Sequence, residues 1–344
     1  MNFIKMYKIL ELEPSFRKKQ VEKAIFGLAI NDWDVVTTLP KTLKEKLKKE
    51  CPFKDTSKDI QKELIKIEEN VVKARLNFTN DLVETVLMRY KSRNTVCVSS
   101  QVGCPLGCSF CLTGQNGFKR NLNSFEIIEQ ILFFKRYLKK YKENVTNVVF
   151  MGMGEPFLNY NAVVKAIKMI NSKDGFNISN RKISVSTIGL IPKILRFTKD
   201  CPQCNLAFSL HAPNNKLRSI LIPANKKHPL KKVLSVLKKY QIATNRSLMI
   251  EYIMLKGVND SLKDAEELSH LLKSNLKSIF VVNLIKYNET GKYESSTFDQ
   301  IRKFKNILLR NKINVVERYR LGDSINAACG QLTNKNFLHI MGKN

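Results

Sequence analysis

The chain has 344 residues, 43% of them hydrophobic, which is enough for one large folded domain with a smaller appendage. Its 59 Lys and Arg against 30 Asp and Glu give a formal charge of +29, which predicts a nucleic-acid partner, although a lysine-rich composition bias would give the same count. No apolar run reaches the roughly 18 residues of a membrane span, and the charged start is unlike a signal peptide. Eight cysteines are too few for a disulfide scaffold in a chain of this length. We therefore expect a cytoplasmic protein with no membrane partner.

Residues 1–90 are rich in lysine, and their apolar periodicity predicts helices over 16–28 and 42–49. Basic residues within 17–23 and 41–49 would give these helices positive faces, although an ordinary solvated surface has the same pattern. We therefore predict that residues 1–90 form a helical, basic accessory domain that binds RNA and that residues 91–344 form the main domain.

Beyond residue 95, short apolar segments alternate with amphipathic helical segments. Strands are predicted over residues 95–101, 147–151, 182–187, 205–211, 249–255, 279–287 and 314–320. Helices are predicted over residues 124–141, 162–170, 192–199, 230–240, 262–273 and 298–311. This alternation predicts an α/β fold with a parallel sheet, whose ligands bind at the carboxyl ends of the strands.

Three cysteines, Cys104, Cys108 and Cys111, follow the first of these strands in C-x3-C-x2-C spacing. Three thiolates on one short loop can hold three irons of a 4Fe-4S cluster and leave the fourth iron open to a substrate. Zinc is the alternative, but structural zinc sites usually take four ligands, and no second cysteine or histidine pair follows at finger spacing. The spacing favours the cluster and resembles the radical S-adenosylmethionine (SAM) superfamily, in which the open iron binds the amino and carboxylate groups of SAM.

A second motif, MGMGEP at residues 151–156, closes the second strand. Its glycines would let the backbone approach the ammonium group of a ligand. A phosphate-binding Rossmann turn is the competing interpretation, but its third glycine and the start of its helix would be misplaced here. The motif resembles the GGEP turn of radical SAM enzymes.

The other cysteines are not part of the triad. Cys97 precedes it by seven residues and Cys329 lies near the C-terminus, and a single thiol of this kind is usually buried and inert. Cys201 and Cys204 form a C-x2-C pair without a partner pair nearby, and Cys51 lies in the accessory region, so we predict no redox or metal role for these three.

Seven motifs in the same order together resemble the RlmN/Cfr family of RNA adenosine methyltransferases. They are VET at 83–85, CVSSQVGC at 97–104, MGMGEP at 151–156, ST at 186–187, SLHAP at 209–213, NLI at 283–285 and AACGQL at 327–332. The resemblance runs from about residue 84 to residue 332, and it implies a partial (β/α)6-type radical SAM barrel with a small helical accessory domain, a 4Fe-4S cluster and SAM.

The resemblance also implies a radical mechanism that uses two SAM molecules, since the target carbon of adenine is electron-poor and cannot attack the SAM methyl group directly. Cys329 would take a methyl group from one SAM, and a radical derived from the second SAM would activate that methyl group for addition to adenine. Cys97 would release the protein-RNA adduct through a transient disulfide with Cys329, and Glu84 would accept a proton. Which of Glu84 and Cys97 takes the ring proton stays open.

The SAM contacts that the resemblance implies all lie at predicted strand ends. They are Gly154, Glu155, Ser186, Ser209, Leu210, His211 and Asn288. Without the surrounding motifs, His211 would more often be a satisfied core or surface histidine, and Glu84 an ordinary surface charge.

The family's RlmN branch methylates C2 of an adenosine in 23S rRNA, and often the adenosine 3' of the tRNA anticodon, whereas its Cfr branch methylates C8 and confers antibiotic resistance. Pro156, Val102 and residues 212–214 favour the RlmN branch, while residues 188–192 and 253–260 lean toward Cfr. We therefore expect C2 methylation of 23S rRNA and tRNA, with electrons from a donor such as flavodoxin or ferredoxin. Two alternatives stay open: a radical SAM enzyme with a non-RNA substrate, and a basic zinc protein that binds RNA without catalysis.

Overall fold

Among the described residues, ten strands form one continuous sheet and two more form a separate hairpin. The computed structural model describes residues 1–53, 64–68, 70–288, 290–318 and 330–332. The strands are β1 (Leu64–Glu68), β2 (Val71–Phe78), β3 (Asp81–Tyr90), β4 (Arg93–Cys97), β5 (Gln101–Gly103), β6 (Phe118–Asn121), β7 (Asn147–Phe150), β8 (Ile183–Thr187), β9 (Asn205–Ser209), β10 (Leu248–Met254), β11 (Phe280–Lys286) and β12 (Val315–Arg318). The large sheet has the order β1-β2-β3-β4-β7-β8-β9-β10-β11-β12, and β5 pairs with β6.

Eleven α-helices lie in the same described ranges. They are α1 (Phe3–Leu10), α2 (Ser15–Glu22), α3 (Lys41–Glu50), α4 (Leu112–Gln115), α5 (Ser124–Lys139), α6 (Tyr160–Asn171), α7 (Ile191–Asp200), α8 (Asn215–Leu221), α9 (Leu230–Thr244), α10 (Leu262–Asn275) and α11 (Phe298–Arg310). Capping boxes fix the starts of two of them, Asn123 with Glu126 before α5 and Ser261 with Asp264 before α10. None of these helices is both long and apolar enough to cross a bilayer.

The strands β4 and β7 to β12 run parallel to one another, and every connection between them contains an α-helix. Their β-branched and aromatic residues suit buried strands, and the intervening helices bury their apolar faces on the sheet. This confirms the predicted α/β fold with a partial barrel of the (β/α)6 type, to which β12 adds one further parallel strand.

The region before the barrel is only partly helical, so the prediction of a helical segment over residues 1–90 was wrong for its second half. Helices α1, α2 and α3 occupy its first part, but β1, β2 and β3 form an antiparallel extension of the barrel sheet. Thr79 and Asn80 both have positive φ, as a tight hairpin turn between β2 and β3 requires. The charged residues Lys73 and Glu84 are buried within these strands and obscure the apolar alternation on which the prediction relied.

The predicted strand over residues 95–101 is also two strands rather than one. β4 ends at Cys97, and β5 begins at Gln101 in the separate hairpin. The chain changes sheet between them because Ser99 and Ser100 bond elsewhere: the Ser99 amide donates to the Gln130 side chain at 2.8 Å, and the Ser100 amide to the carbonyl of Met153 at 2.8 Å.

Strand register defines one face of the large sheet, because directly paired residues share a face. This face continues from Glu84 and Cys97 through Ser186 to Ser209 and Glu251. The alternate residues of the same strands are mostly apolar and belong to the core, with Thr85 and Thr187 among the exceptions. Polar side chains therefore line the barrel interior toward the carboxyl ends of its strands.

Candidate active site

The three predicted cluster cysteines lie on one loop between β5 and α4. Cys104 and Cys108 are buried, and Cys111 is partly exposed. Gly103, just before the loop, has φ +75°, and a Cβ there would lie 2.0 Å from the carbonyl oxygen of Gly117. Glycine is therefore required at this position for the chain to leave the hairpin, and the Cys104 amide then donates to the Gly117 carbonyl at 2.9 Å.

The electrostatics of the loop fit the binding of iron cations. Burial raises the pKa of the Cys104 thiol to about 12 and that of Cys108 well above its ordinary value, and negative charge on Cys111 and Glu155 adds to both shifts. Such thiolates need a cation, which iron supplies. No three His, Cys, Asp or Glu side chains of the described ranges converge as ligands of a single ion would, whereas thiolates that bind different irons of a cluster stand apart.

Loops from two other barrel strands hold the cysteine loop in place. The Ser109 amide donates to the carbonyl of Leu221 at 3.0 Å, and the Ser109 hydroxyl lies 2.8 Å from the Tyr293 hydroxyl. The hydroxyl of Thr290 donates to the carbonyl of Phe110 at 3.4 Å. The cysteine loop is thus fixed against the segments that follow β9 and β11.

The segment that follows Cys329 in sequence lies against the same loop. The Leu112 amide donates to the carbonyl of Gly330 at 2.9 Å, and the hydroxyl of Thr113 donates to the carbonyl of Leu332 at 2.6 Å. The residue after the last cluster cysteine is therefore bonded to the residue after Cys329. Cys329 itself lies outside the described residues, so its predicted role stays a prediction.

The MGMGEP turn follows β7 and packs against the start of β5. Gly154 has φ +98°, and a Cβ there would lie 2.5 Å from the Cβ of Gln101. The Gln101 side chain in turn accepts a hydrogen bond from the Glu155 amide at 2.9 Å. The glycine thus lets the turn lie directly against the strand that leads into the cysteine loop.

The Glu155 carboxyl is fully buried beside that loop. One oxygen accepts from the Phe157 amide and the other from the Ile188 amide, both at 3.0 Å. Burial raises the pKa of this carboxyl to about 7, although these hydrogen bonds and that of Thr187 act against the rise. A buried carboxyl of this kind gains from a cationic partner, and the ammonium group of an amino acid is a suitable one.

The predicted contacts on β8 and β9 meet at the carboxyl ends of these strands. The hydroxyls of Ser186 and Ser209 lie 3.1 Å apart. The amides of Leu210 and His211 both donate to the carbonyl of Glu251, at 3.1 and 3.3 Å. The structure therefore brings these four residues together at one edge of the barrel.

His211 is a satisfied core histidine with a left-handed backbone conformation. It has φ +59°, its Nδ1 accepts from the Ile253 amide at 3.1 Å, and its carbonyl accepts from Asn259 at 2.8 Å. Burial lowers the pKa of His211 to about 3, with a further effect from the charge of Arg218, so the ring is neutral. The ring centroids of His211 and Phe110 are 4.8 Å apart in an edge-to-face arrangement, and this contact links the strand end to the cysteine loop.

Asn288 is buried just beyond the end of β11. The neighbouring Tyr287 hydroxyl lies 2.6 Å from the hydroxyl of Thr290, which itself bonds the cysteine loop. Asn288 therefore lies on a segment in contact with the loop, and its predicted contact with SAM stays a prediction.

Cys97 and Glu84 lie on the same face of neighbouring strands, at the end of β4 and on β3. The hydroxyl of Thr85 donates to the Cys97 carbonyl at 2.7 Å, and the hydroxyl of Ser99 donates to the Glu84 carbonyl at 2.6 Å. The Ser99 hydroxyl also accepts from the amide of Met153, at 2.9 Å. Glu84 is thus joined through Ser99 to the MGMGEP turn.

The Glu84 carboxylate is held by two cations that the sequence did not single out. Its oxygens lie 2.8 Å from Lys73 Nζ and 3.0 Å from Arg75 Nη2, and Lys73 and Glu84 are completely buried. Pairing compensates for the desolvation of both charges. Glu84 is therefore not the surface charge that its residue type would suggest.

Two further buried charged residues at this end of the barrel were missed from the sequence. Arg218 on α8 is completely buried, and Glu251 on β10 is 3% exposed. One oxygen of Glu251 accepts from Asn283 at 2.9 Å and from Arg318 at 3.2 Å. A charged residue inside an otherwise apolar strand or helix pattern was the signal that could have revealed them.

The C-x2-C pair lies at the other end of the barrel. Cys201 follows α7 and Cys204 directly precedes β9, and both are buried. The Cys204 carbonyl accepts from the Tyr240 hydroxyl at 3.0 Å. Cys51 is buried at the end of α3. All three thiols are thus remote in the fold from the cysteine loop.

The barrel and its cysteine loop define the radical SAM class of enzymes. The sequence profile of the Radical SAM superfamily matches residues 98–271, which span the cluster cysteines, the MGMGEP turn and strands β7 to β10.

Individual relatives show which kind of radical SAM enzyme this chain resembles. A probable dual-specificity RNA methyltransferase RlmN from Dictyoglomus turgidum is 42% identical over 330 residues, covering 93% of this chain and 91% of its own. A ribosomal RNA large subunit methyltransferase Cfr from Bacillus velezensis is 41% identical over 327 residues, covering 93% and 92%. The crystal structure of a radical SAM methyltransferase from Sphaerobacter thermophilus has a TM-score of 0.87 and 36% identity, covering 97% of this chain and 98% of its own.

The chain belongs to the RlmN/Cfr family of radical SAM RNA methyltransferases. Its cofactors are accordingly a 4Fe-4S cluster and SAM.

Proposed function

We propose that this enzyme methylates C2 of an adenosine in the peptidyl-transferase region of 23S rRNA and C2 of the adenosine 3' of the tRNA anticodon. The observation that carries the proposal is the meeting, at one end of the barrel, of the cysteine loop, Cys97, Glu84 and the segment that follows Cys329. The dual-specificity RlmN from Dictyoglomus turgidum supports the choice of both RNA substrates.

The residues present fit the two cofactors. Cys104, Cys108 and Cys111 would hold the cluster, and the buried Glu155 carboxyl would pair with the ammonium group of SAM. The strand ends with Ser186 and Ser209, and the buried Asn288 and Gly154, would complete the SAM site. When bound, the cluster and SAM supply the methyl group and the radical that the reaction needs.

The thiols of this chain would carry and release the methyl group. Cys329 would take the methyl group and remain linked to the adenine through a C–S bond after addition. The radical adduct must also lose one electron, for which the cluster held by Cys104, Cys108 and Cys111 would supply the acceptor. Cys97 would then attack the Cys329 sulfur, so that an S–S bond replaces the C–S bond and the carbon left on adenine takes up a proton. The position of Cys97 at the end of β4, beside the cluster loop in sequence, suits this role.

Glu84 would accept the proton that leaves the ring carbon of the adduct. Lys73 and Arg75 hold both of its oxygens, so the carboxylate keeps one orientation. Its backbone is fixed through Ser99 to the turn that would hold SAM. Glu84→Gln should therefore methylate Cys329 normally and stall after addition to RNA, which mass spectrometry of the protein-RNA adduct would detect.

The second candidate is methylation of C8 of the same rRNA adenosine. The Cfr of Bacillus velezensis supports it, since it is nearly as similar to this chain as the RlmN relative is. The two reactions give different products, and this difference decides between them.

The test is nucleoside mass spectrometry on 23S rRNA and tRNA after anaerobic incubation with the cluster-loaded enzyme, SAM and a reductant. 2-Methyladenosine in both RNAs is the expected result, and 8-methyladenosine would move the enzyme to the second candidate. If protein with full iron content gives neither of these products, the proposal of an RNA substrate is overturned. A Cys104→Ala protein treated identically is the control for chemistry that does not need the cluster.

Reduction of the cluster requires an electron donor, and we propose flavodoxin or ferredoxin for this role. The rRNA and tRNA substrates and the oxygen-sensitive cluster both suit a location in the cytoplasm.

RNA affinity would come in part from the basic residues of the region before the barrel, such as the exposed lysines of α3. The affinity should then weaken steeply as salt rises, and a flat response between low and moderate salt would contradict this part.

A further inference from the structure

Arg218 is a buried cation without a carboxylate partner in the described part of the chain. Its side chain is completely buried on the short helix α8. Burial lowers the pKa of Arg218 to about 10. The guanidinium still carries its full charge at neutral pH, and such a charge is unfavourable in the protein interior unless an anion accompanies it.

The hydrogen bonds of Arg218 all go to neutral oxygens. Nε donates to the carbonyl of Leu210 at 3.0 Å, and Nη2 donates to the carbonyls of Ile188 at 2.7 Å and Ser209 at 2.9 Å. Nη1 donates to the side-chain oxygen of Asn225 at 2.6 Å. These bonds engage all three nitrogens of the guanidinium and fix the strand ends, but they leave the positive charge unneutralised.

The helix that carries Arg218 ends against the cysteine loop. Its last residue, Leu221, accepts a hydrogen bond at 3.0 Å from the amide of Ser109, the residue after Cys108. Arg218 also bonds the carbonyl of Leu210, and the ring centroid of the next residue, His211, lies 4.8 Å from that of Phe110 in the cysteine loop. The Arg218 cation is therefore fixed by two sets of contacts to the segment that carries Cys108 and Cys111.

A 4Fe-4S cluster with three thiolates is an anion, and reduction by one electron increases its negative charge. Net charge near a cluster is one of the quantities that set its reduction potential. A cation fixed in the low-dielectric interior stabilises the reduced form more than the oxidised form. In this chain Arg218 meets that description.

We propose that Arg218 is the buried counter-charge of the iron-sulfur cluster, which favours cluster binding and cluster reduction while its hydrogen bonds position the strand ends at Ser209 and Leu210. It is a positioning residue, since it acts through the cluster loop and the backbone of the cofactor site. The proposal depends on the cluster but not on the RNA substrate, so its test needs no RNA and fails separately from the proposed methylation.

The experiment compares anaerobic redox titrations of cluster-loaded wild type, Arg218→Gln and Arg218→Lys in the absence of SAM and RNA. Gln removes the charge, whereas Lys keeps it and loses most of the hydrogen bonds. We expect the reduction equilibrium constant to fall about tenfold in Arg218→Gln, which is about 59 mV for one electron, and to change less than threefold in Arg218→Lys.

Arg246→Gln is the matched control, because this partly buried arginine bonds Asn205 at the amino end of β9, away from the cysteine loop. It should leave the potential unchanged. An unchanged potential in fully loaded Arg218→Gln would overturn the proposal. Equal decreases in Arg218→Gln and Arg218→Lys would also overturn it, because the hydrogen bonds rather than the charge would then be responsible.

Thermal unfolding of the iron-free proteins covers the case in which Arg218→Gln does not load a cluster. We expect iron-free Arg218→Gln to unfold no earlier than iron-free wild type, because the variant removes an uncompensated charge. The increase in melting temperature on cluster loading should be smaller than in wild type. An iron-free variant that is unfolded, or melts far below wild type, would show that Arg218 serves the fold rather than the cluster.

Discussion

The chain contains two C-x2-C pairs with the same spacing, and they lie at opposite ends of the barrel. Cys108 and Cys111 lie beyond the carboxyl end of β4, whereas Cys201 and Cys204 lie at the amino end of β9. In a parallel barrel, ligand sites form at the carboxyl ends, where the loops after several strands converge. Position in the fold, rather than spacing, therefore separates a cofactor loop from a structural turn.

The two cysteine pairs also differ in what shifts the pKa values of their thiols. The thiols of Cys201 and Cys204 are hydrogen-bonded to each other, and this bond lowers the pKa of Cys201 and raises that of Cys204. Burial and the Glu155 carboxylate instead raise the pKa values of the Cys104 and Cys108 thiols and so destabilise their anions. One pair is satisfied within the chain, and the other needs a bound cation.

The largest expected effect comes from removing a cluster ligand. Cys104→Ala should lose the cluster and all turnover, because the two remaining thiolates cannot hold three irons. Cys204→Ala, the matched change in the other pair, should retain both. Iron and sulfide analysis of the two purified proteins measures the difference. Loss of iron from both variants would remove the distinction between the two ends of the barrel.

The next largest effect is expected from replacing Cys97, a thiol that belongs to neither pair. Cys97→Ala should allow methylation of Cys329 but block release of the product, because no second sulfur can form the disulfide. A covalent protein-RNA adduct on a denaturing gel is the expected readout, with Cys51→Ala as a control that forms none. Free, fully methylated RNA from Cys97→Ala would exclude Cys97 as the resolving residue.

The pH dependence of SAM binding tests whether the Glu155 carboxylate, at the carboxyl end of the barrel, pairs with the ammonium group of SAM. The Glu155 pKa is raised from its ordinary value of 4.5 to about 7, and pairing with the SAM ammonium group would lower it again. Binding then releases a proton, so SAM affinity should fall up to about tenfold per pH unit below pH 7 and level off above it. Glu155→Gln should bind more weakly and without this slope, as calorimetry on the cluster-loaded protein can measure.

The same shift affects the stability of the protein without SAM. A carboxyl whose folded pKa is raised binds its proton more tightly when folded, so its contribution falls as pH rises from about 4.5 to about 7. The Glu155→Gln protein should lack this decline in denaturant titrations at several pH values. An identical decline in the variant would assign it to other groups.

The smallest effect concerns the pair at the amino end. Cys204 is completely buried and bonded to its neighbouring thiol, so Cys204→Ala should lower the free energy of unfolding by about 1–3 kcal/mol. Denaturant unfolding of the iron-free protein measures this. A change in the reduction potential of the loaded protein would contradict a purely structural role.

The barrel could be predicted from the sequence because its strands are short apolar runs separated by well-capped amphipathic helices. The strands over residues 71–90 could not, since buried charges interrupt their pattern, and these charges are explained only by pairing between β2 and β3. Arg218 was missed for a related reason. Its partners, Ile188, Ser209 and Leu210, come from two other strand ends and meet it only in the folded chain.

The ladder between β3 and β4 has a consequence for any attempt to study the barrel alone. Tyr90 pairs with Arg93 across the turn, and the ladder continues to Val86 and Cys97. A chain shortened to begin at residue 91 would leave β4 as an exposed sheet edge, with free amide and carbonyl groups beside Cys97. Such an edge recruits strands from other molecules, so the shortened protein should self-associate, and the antiparallel extension acts as the barrel's protection against aggregation.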